Sequence, residues 1–268
     1  MPVRAGHAPS FTLAGARPTF RRVCRKGVNV SELKIYSTLK DWWPFILSVE
    51  SRQEEGLLFH RLFQELSASP PRTLLELGCG GGGTASYFKP DLALTLTDIS
   101  PEMLEVSRTV NPESEHILGD MRTLRLDRTF DVVYIHDAIM YMTTEDDLRQ
   151  AITTAAVHCR PGGLLTIYPD YIRENFVEGC DIDTKGHDEP GRGLRFMEWH
   201  FDPDHGDTHY EVHFAIMLRR GNDVEVVHDH HRFGLFPRDT WLRLLGEAGF
   251  EASLREDRLI FIGHKRPL

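Results

Sequence analysis

Apolar residues recur along the chain in three different rhythms. Leu57, Leu58, Leu62, Phe63 and Leu66 fall on one helical stripe, which predicts an amphipathic helix over residues 50–67 that stops at Ser67, Ser69, Pro70 and Pro71. Before it lies an aromatic stretch, Ile35-Tyr36 and Asp41-Trp42-Trp43-Pro44-Phe45, in which Pro44 forbids one long helix. From residue 72 short apolar runs alternate with helical stripes. Residues 73–77, 92–97, 130–135 and 164–168 read as strands. Ser100-Pro101-Glu102 marks one helix start, with Ser as N-cap and Pro in the first turn. Thr144 followed by Glu145, Asp146 and Asp147 marks another, with Leu148, Ile152, Ala155 and Cys159 as its apolar face, and Pro161-Gly162-Gly163 closes it.

The third rhythm is a period of two. Residues 194–201, 208–218 and 223–235 alternate apolar with polar side chains and are separated by Asp/Pro/Gly/Asn turns, which predicts an antiparallel flap. A helix over 238–248 capped by Gly249 and strands near 251–256 and 258–264 complete the pattern. Strand–helix alternation of this kind argues for an α/β fold with a parallel sheet wrapped by helices. The expected organisation is a disordered basic tail over 1–30, a helical N-terminal cap or lid over 31–69, and an α/β domain over 70–268 into which a flap, 190–236, is inserted.

Composition narrows the function classes. At 268 residues, 41% hydrophobic and 26% charged, the chain is neither fibrous nor wholly disordered, and no apolar run reaches the ~18 residues that a membrane span needs. Arg4, Arg17, Arg21, Arg22, Arg25 and Lys26 give residues 1–28 a charge of +6 without one acid. That leader has the composition of a transit peptide, but its scattered Pro and Gly fit a tail better. The total is −9, so the rest of the chain holds −15, which disfavours nucleic acid as a partner. Cys24, Cys79, Cys159 and Cys180 stand far apart and read as free thiols in a reducing cytoplasm.

The chemistry concentrates after the first predicted strand, in Glu76-Leu77-Gly78-Cys79-Gly80-Gly81-Gly82-Gly83. Glycines let the backbone turn sharply and approach a ligand to contact distance. Gly78, Gly80 and Gly83 also satisfy the dinucleotide fingerprint G-x-G-x-x-G, so the loop alone leaves the ligand open. Its neighbours shift the balance. Glu76 suits a cationic ligand better than a pyrophosphate. Asp98, at the next strand end, stands where two ribose hydroxyls would be held, and Gly119-Asp120-Met121 offers a carboxylate to an exocyclic amine and a thioether to an adenine face.

These residues resemble the motifs of the class I S-adenosylmethionine-dependent methyltransferases, whose pattern E/D-x-G-x-G-x-G is met by Glu76, Gly78, Gly80 and Gly82. The flap, Leu235-Phe236-Pro237-Arg238 and Gly249-Phe250 are similar to small-molecule N-methyltransferases, nearest to the amino-deoxysugar N,N-dimethyltransferases. The resemblance implies a Rossmann-like, doubly wound seven-stranded sheet with its last strand antiparallel, and S-adenosyl-L-methionine as cofactor with S-adenosyl-L-homocysteine as product. It further implies that Gly78, Cys79 and Gly80 pass the methionine part, Glu76 orders its amino group, Asp98 holds the ribose, Ile99 and Met103 flank the adenine, and Gly119, Asp120 and Met121 read its edge. The His136 carbonyl would meet the cofactor's ammonium.

Methyl transfer from a sulfonium needs alignment and exclusion of water more than acid–base power, although a hydroxyl acceptor gains from a general base. His136 and Asp137, followed one turn later by Tyr141, are the candidates for that base, and Tyr36 is the preferred lid over the transfer centre. Trp43, Asp137, Asp170, Tyr171, Glu198 and His200, with Trp199, are candidates for the substrate pocket. Each has a plain structural alternative: Asp98 and Asp120 as turn formers or caps, Met103 as core, Cys79 as a small filler, the aromatics as a packing cluster. The flap histidines (His200, His205, His209, His213, His228, His230, His231) lack a metal-site spacing, so no metal is expected. The expected acceptor is a small molecule, with no nucleic acid or membrane, for a cytoplasmic monomer or homodimer. The competing readings are a nicotinamide-dependent oxidoreductase and a non-catalytic S-adenosylmethionine-binding protein.

Overall fold

The computed structural model describes residues 32–182 and 187–267, so the tail expected over 1–30 lies outside the described residues. Between residues 32 and 52 the chain makes short 3₁₀ turns around one brief helix, α1 (Trp43–Ile46), which begins where Pro44 fits the first turn. Helix α2 (Gln53–Leu66) follows and buries Phe59, Leu62 and Phe63. The α/β unit then runs β1 (Thr73–Leu77), β2 (Ala93–Asp98), α3 (Pro101–Val110), β3 (Glu115–Leu118), β4 (Phe130–Ile135), α4 (Glu145–His158) and β5 (Cys159–Ile167). Both expected N-caps form: Ser100 Oγ accepts from Met103 N at 3.1 Å and Thr144 Oγ1 from Asp147 N at 3.1 Å.

Cys159 departs from the sequence reading. It does not lie on the face of α4 but opens β5, where it pairs with Phe130. The strand passes through Pro161-Gly162-Gly163 with a register shift, and the positive φ of Gly162 (72°) carries that irregularity.

Strands β6 (Gly179–Ile182), β7 (His187–Glu189), β8 (Arg192–Phe201), β9 (His209–Arg220) and β10 (Asp223–Gly234) come next, followed by α5 (Arg238–Glu247), β11 (Phe250–Arg255) and β12 (Ile260–Lys265). The main sheet has the order β11-β12-β5-β4-β1-β2-β3. β12 is antiparallel to both its neighbours and the rest are parallel, which is the doubly wound arrangement with a reversed last strand. The flap strands form a separate antiparallel sheet, β10-β9-β8-β6, with β7 also on β8. β6 is short and largely exposed, and its Gly-Cys-Asp-Ile sequence carries no alternation that the apolar pattern could register.

Two cores cover the main sheet. Phe59, Phe63, Phe88 and Tyr134 pack on one face, while Ile152, Trp241, Leu245 and Phe261 pack on the other. A third core decides the site. Ile35, Leu39, Trp42 and Phe45 pack on Leu194, Ile216, Leu218 and Val227 from the inner face of the flap. Trp42 is fully enclosed, and the guanidiniums of Arg192 and Arg220 lie 4.4 and 4.9 Å from its ring. The N-terminal segment is thereby clamped between the flap and the C-terminal edge of the main sheet. That edge, beside the β1/β4 switch in strand order, is where open α/β sheets bind ligands.

Candidate active site

β1 ends in the glycine loop, and hydrogen bonds tie the loop to β2. Gly78 N and Cys79 N both donate to Thr97 O at 2.8 and 2.9 Å, and Gly80 N donates to Asp98 Oδ2 at 2.8 Å. The other Asp98 oxygen accepts from Ser100 N at 2.8 Å. These three amides are therefore spent on shaping the loop. What the loop offers a ligand is room. Gly78 sits at φ 81°, and a Cβ there would overlap Ala138.

Gly81 packs on Trp43 so closely that a Cβ would overlap the indole nitrogen. Gly81→Ala is accordingly expected to push Trp43 off the loop and weaken S-adenosylhomocysteine binding about tenfold. Calorimetry measures the loss, and tryptophan fluorescence reports the displaced indole.

The loop bounds a cavity of ≈ 140 Å³ whose lining includes Glu76, Gly78, Cys79, Gly80, Asp98, Ile99, Gly119, Asp120, Met121 and His136. Met103 stands apart from it. Its side chain is fully buried on the inward face of α3 and does not reach the cavity. Asp120 reaches the cavity but is already engaged, because Arg122 straddles its carboxylate at 2.6–3.0 Å and also bonds Asp147 at 3.0 Å. Burial opposes ionisation of Asp120, but Arg122 holds its pKa below the ordinary value.

Glu76 tests the kind of ligand that fits. Its carboxylate is buried, Oε2 has no hydrogen-bond partner, and burial raises its pKa to about 8, with Asp137, Asp98 and Glu55 adding and His136 opposing. A buried, unpartnered carboxylate is costly unless a cation or donor meets it. With Asp98, Asp120 and Asp137 lining the same cavity, the site suits an ammonium-bearing, sulfonium nucleoside and repels a dinucleotide's diphosphate. These residues fit S-adenosylmethionine.

A second cavity of ≈ 480 Å³ adjoins the first and extends under the flap. The two share Tyr36, Trp43, Leu47, Asp137 and Tyr141, so this cluster forms the junction. Asp170, Tyr171, Asp181 and Glu198 line the second cavity, with Tyr210 behind and Arg258 among its lining residues. Trp43, Asp137, Asp170, Tyr171 and Glu198 are thus brought together as the sequence suggested. His200 and Trp199 are not. Trp199 points from the outer face of β8 to solvent, and His200, two residues from Glu198, is sealed in, with Nε2 3.1 Å from Val177 O and its ring against Tyr171 and Phe176. Asp170 stays exposed on the cavity wall, where loss of surrounding water raises its pKa to about 7, with Asp137 and Glu198 adding and His136 opposing. Burial likewise raises Glu198.

His136 does not stand free as a base. Its Nε2 lies 2.9 Å from Glu55 Oε1 and its Nδ1 3.1 Å from Asp137 Oδ1, while Arg52 lies 3.4 Å from Glu55 and 3.8 Å from Asp137. Burial disfavours its charge, yet Asp137 and Glu55 outweigh that and raise its pKa to about 10. Both ring nitrogens face carboxylates, which favours the imidazolium and leaves neither nitrogen free to act as the base expected of it. Its carbonyl accepts from Ile139 N at 3.1 Å.

The junction also holds residues that sequence reasoning passed over. Tyr36 and Tyr141 meet hydroxyl to hydroxyl at 3.0 Å, Tyr141 Oη lies 2.8 Å from His231 Nδ1, and His231 Nε2 lies 3.2 Å from Asp229 Oδ2. Asp229 and His231 were legible in one respect. They share the inward parity of β10 with Val227 and Phe233, so a carboxylate and an imidazole were bound to be buried together. His213, His228 and His230 instead stack on the outer face, 4.4–5.2 Å between ring centroids, and no metal-binding group of three occurs among the described residues.

Comparison with known proteins follows this geometry. Residues 74–163 match a family model described as a methyltransferase domain. The chain is 29% identical over 198 residues to the dTDP-3-amino-3,4,6-trideoxy-alpha-D-glucopyranose N,N-dimethyltransferase of Streptomyces venezuelae, covering 71% of this chain and 82% of the relative. It is 28% identical to the dTDP-3-amino-3,6-dideoxy-alpha-D-glucopyranose N,N-dimethyltransferase of Streptomyces fradiae, covering 75% of this chain and 81% of that one. In fold it is similar to the crystal structure of Streptomyces venezuelae DesVI (TM-score 0.73, 23% identity, 81% of this chain and 92% of that chain). It is also similar to the sugar N-methyltransferase KedS8 from Streptoalloteichus (TM-score 0.72, 19% identity, 96% of this chain and 100% of that chain).

Proposed function

We propose that this chain, a class I S-adenosylmethionine-dependent methyltransferase, methylates the amine of a small molecule, and that its acceptor is an amino sugar carried on a nucleotide. The observation that carries the amine reading is the acidic second cavity. Asp137, Asp170, Asp181 and Glu198 line it, which suits an acceptor whose amine end arrives as an ammonium ion. The two relatives act on dTDP-linked amino sugars, which supports the same acceptor class here.

When bound, S-adenosylmethionine supplies an electrophilic methyl group on a sulfonium. In this reading Glu76 meets the ammonium of its methionine part, Asp98 takes the ribose hydroxyls, and Ile99, Met121 and Asp120 border the base. Their position along one cavity supports that assignment. Gly78 and Gly80 leave the room for close approach, and Cys79 fills the loop. Tyr36, Trp43 and Tyr141 close the junction, exclude water and present aromatic faces to the sulfonium. Asp137, Asp170, Tyr171 and Glu198 would hold the acceptor's amine end beside the junction, where alignment with a bound methyl donor supplies the rate. The charge of −15 beyond the leader argues against a nucleic-acid acceptor, and no helix of the described residues is long and apolar enough to cross a membrane. A cytoplasmic setting and a monomer or homodimer complete the reading.

The test is incubation with S-adenosylmethionine and dTDP-3-amino-3,6-dideoxy-alpha-D-glucopyranose, followed by mass spectrometry. The expected result is a gain of one or two methyl groups on the sugar nitrogen. Methylation of phenols in a parallel panel, with the amine untouched, would overturn the amine reading.

A further inference from the structure

The methionine part of S-adenosylmethionine carries a carboxylate as well as an ammonium, and that carboxylate needs a partner of its own. The first cavity is a poor place for another negative charge. Glu76, Asp98, Asp120 and Asp137 line it, so a carboxylate settles there only beside a cation. Among the described residues, three side chains able to carry positive charge line this cavity: Arg52, Arg122 and His136.

Two of the three are committed. Arg122 turns Nε and Nη2 to Asp120 at 2.6–3.0 Å and Nη1 to Asp147 at 3.0 Å. His136 has its ring nitrogens 2.9 Å from Glu55 and 3.1 Å from Asp137, so a ligand carboxylate there would meet one already in place. Arg52 differs. Its Nη1 donates to the two Glu55 oxygens across a long 3.4 Å, and its Nη2 stands 3.8 Å from Asp137 Oδ2, too far for a hydrogen bond. Nη2 and Nε thus make no hydrogen bond among the described residues, although a guanidinium has five N–H groups to place and keeps its charge at every working pH.

Sheet order sets Arg52 and Arg122 at opposite ends of the site. The strands run β4-β1-β2-β3 across it, and Asp120 with Arg122 follows β3, at the end read as the base end. Glu76 pairs with Tyr134 across β1 and β4, and His136 directly follows β4. Arg52 joins this second end from the start of α2. Its stem crosses the glycine loop, where a Cβ on Gly83 would lie 3.5 Å from Arg52 Cγ. Glu55 and Asp137, the carboxylates that flank Arg52, are also among the charges that act on buried Glu76. An α-amino acid bears its ammonium and carboxylate on the same carbon, so a site for one requires the other's partner close by.

We infer that Arg52 is the carboxylate-binding residue of the cofactor site, its unoccupied N–H groups taking the α-carboxylate of S-adenosylmethionine while Glu76 takes the α-ammonium. This rests on the reading that puts the methionine part beside Glu76. Glu55 is then a positioning residue. It holds the guanidinium through Nη1, faces His136 at 2.9 Å and accepts from Thr84 Oγ1 at 3.3 Å, which leaves Nη2 and Nε to the ligand.

Calorimetric titration of the full protein with two ligands isolates the contact. One is S-adenosylhomocysteine, and the other is its decarboxylated counterpart, which keeps the amine and lacks the carboxylate. The wild type should prefer S-adenosylhomocysteine. Arg52→Gln should weaken S-adenosylhomocysteine about 100-fold and the decarboxylated ligand by about twofold at most, which erases the preference. Arg52→Lys keeps a positive charge between Glu55 and Asp137 but loses the planar fork, so it should cost about tenfold on S-adenosylhomocysteine alone. Arg52→Lys decides the matter where Arg52→Gln does not fold. An equal loss for both ligands would overturn the inference by showing that Arg52 only shapes the loop, and unchanged affinities would overturn it by placing the carboxylate elsewhere. Failure of the Glu76 reading has a different signature: Glu76→Gln would bind the decarboxylated ligand as tightly as the wild type, whatever the Arg52 variants do.

Discussion

Glu76→Gln is expected to abolish measurable binding of S-adenosylmethionine and S-adenosylhomocysteine while raising the melting temperature of the ligand-free protein. The two effects have one cause. Glu76 is a buried carboxylate with Oε2 unpartnered, and burial, ahead of the negative charges nearby, raises its pKa from 4.5 to about 8. A carboxyl group with a raised folded-state pKa binds protons more tightly folded than unfolded. Its effect on stability is therefore nil below pH 4.5, grows unfavourable as pH rises from 4.5 to about 8, and is constant above. At pH 7 this strain is on the order of 1–3 kcal/mol, or about 2–4 °C of melting temperature per kcal/mol for a chain of this size.

Glutamine removes the strain and with it the charge that a ligand ammonium would neutralise. Scanning calorimetry at pH 4 and pH 7.5 checks the stability half, with a difference expected only at the higher pH. Titration calorimetry checks the other half. For the wild type it should show proton release on binding near pH 7 and an affinity that falls up to tenfold per pH unit below 8. A wild-type affinity retained by Glu76→Gln would remove the carboxylate from the site.

The fold was legible because each strand–helix unit carried its own punctuation. Ser100-Pro101 and Thr144 cap their helices, the glycine loop follows β1, and β11 follows Gly249. The clustering of Glu76, Gly78, Asp98 and Asp120 around one cavity was legible for the same local reason: each stands at or just after a strand end, and parallel strands deliver their ends to one edge. Met103 escaped that logic, since a position on α3 has two faces and only the packing decides which one it takes.

The junction was less legible because it is assembled from three distant segments. Tyr36, Tyr141 and His231 meet only after the flap folds over the N-terminal segment, and no spacing in the chain encodes that docking. What the flap did encode was parity. Alternation along β10 assigns Asp229 and His231 to the inner face and His228 and His230 to the outer one, and a run of histidines conceals that division unless the strand is read position by position. Glu198 and His200 show the limit of parity. They share a face of β8, but only Glu198 stands where the cavity reaches it.

His136 was singled out for its strand-end position, and the expected outcome of removing it is structural before it is catalytic. His136→Leu should destabilise the protein by about 3–5 kcal/mol near neutral pH, because it leaves Glu55 and Asp137 facing one another without the cation between them. Arg52, at 3.4 and 3.8 Å from these carboxylates, compensates only in part. The sign of the pH dependence follows from the raised pKa. His136 stabilises the folded state in full below its unfolded value of 6.5, and that contribution is lost as pH rises to about 10. The stability gap between wild type and His136→Leu, measured by denaturant unfolding, should be widest near pH 6 and close toward pH 10. Adding Glu55→Gln to His136→Leu should restore part of the loss by removing one of the stranded charges. An equal gap at pH 6 and pH 10 would show that the imidazole contributes by shape alone, and the charge cluster beside the first cavity would need another explanation.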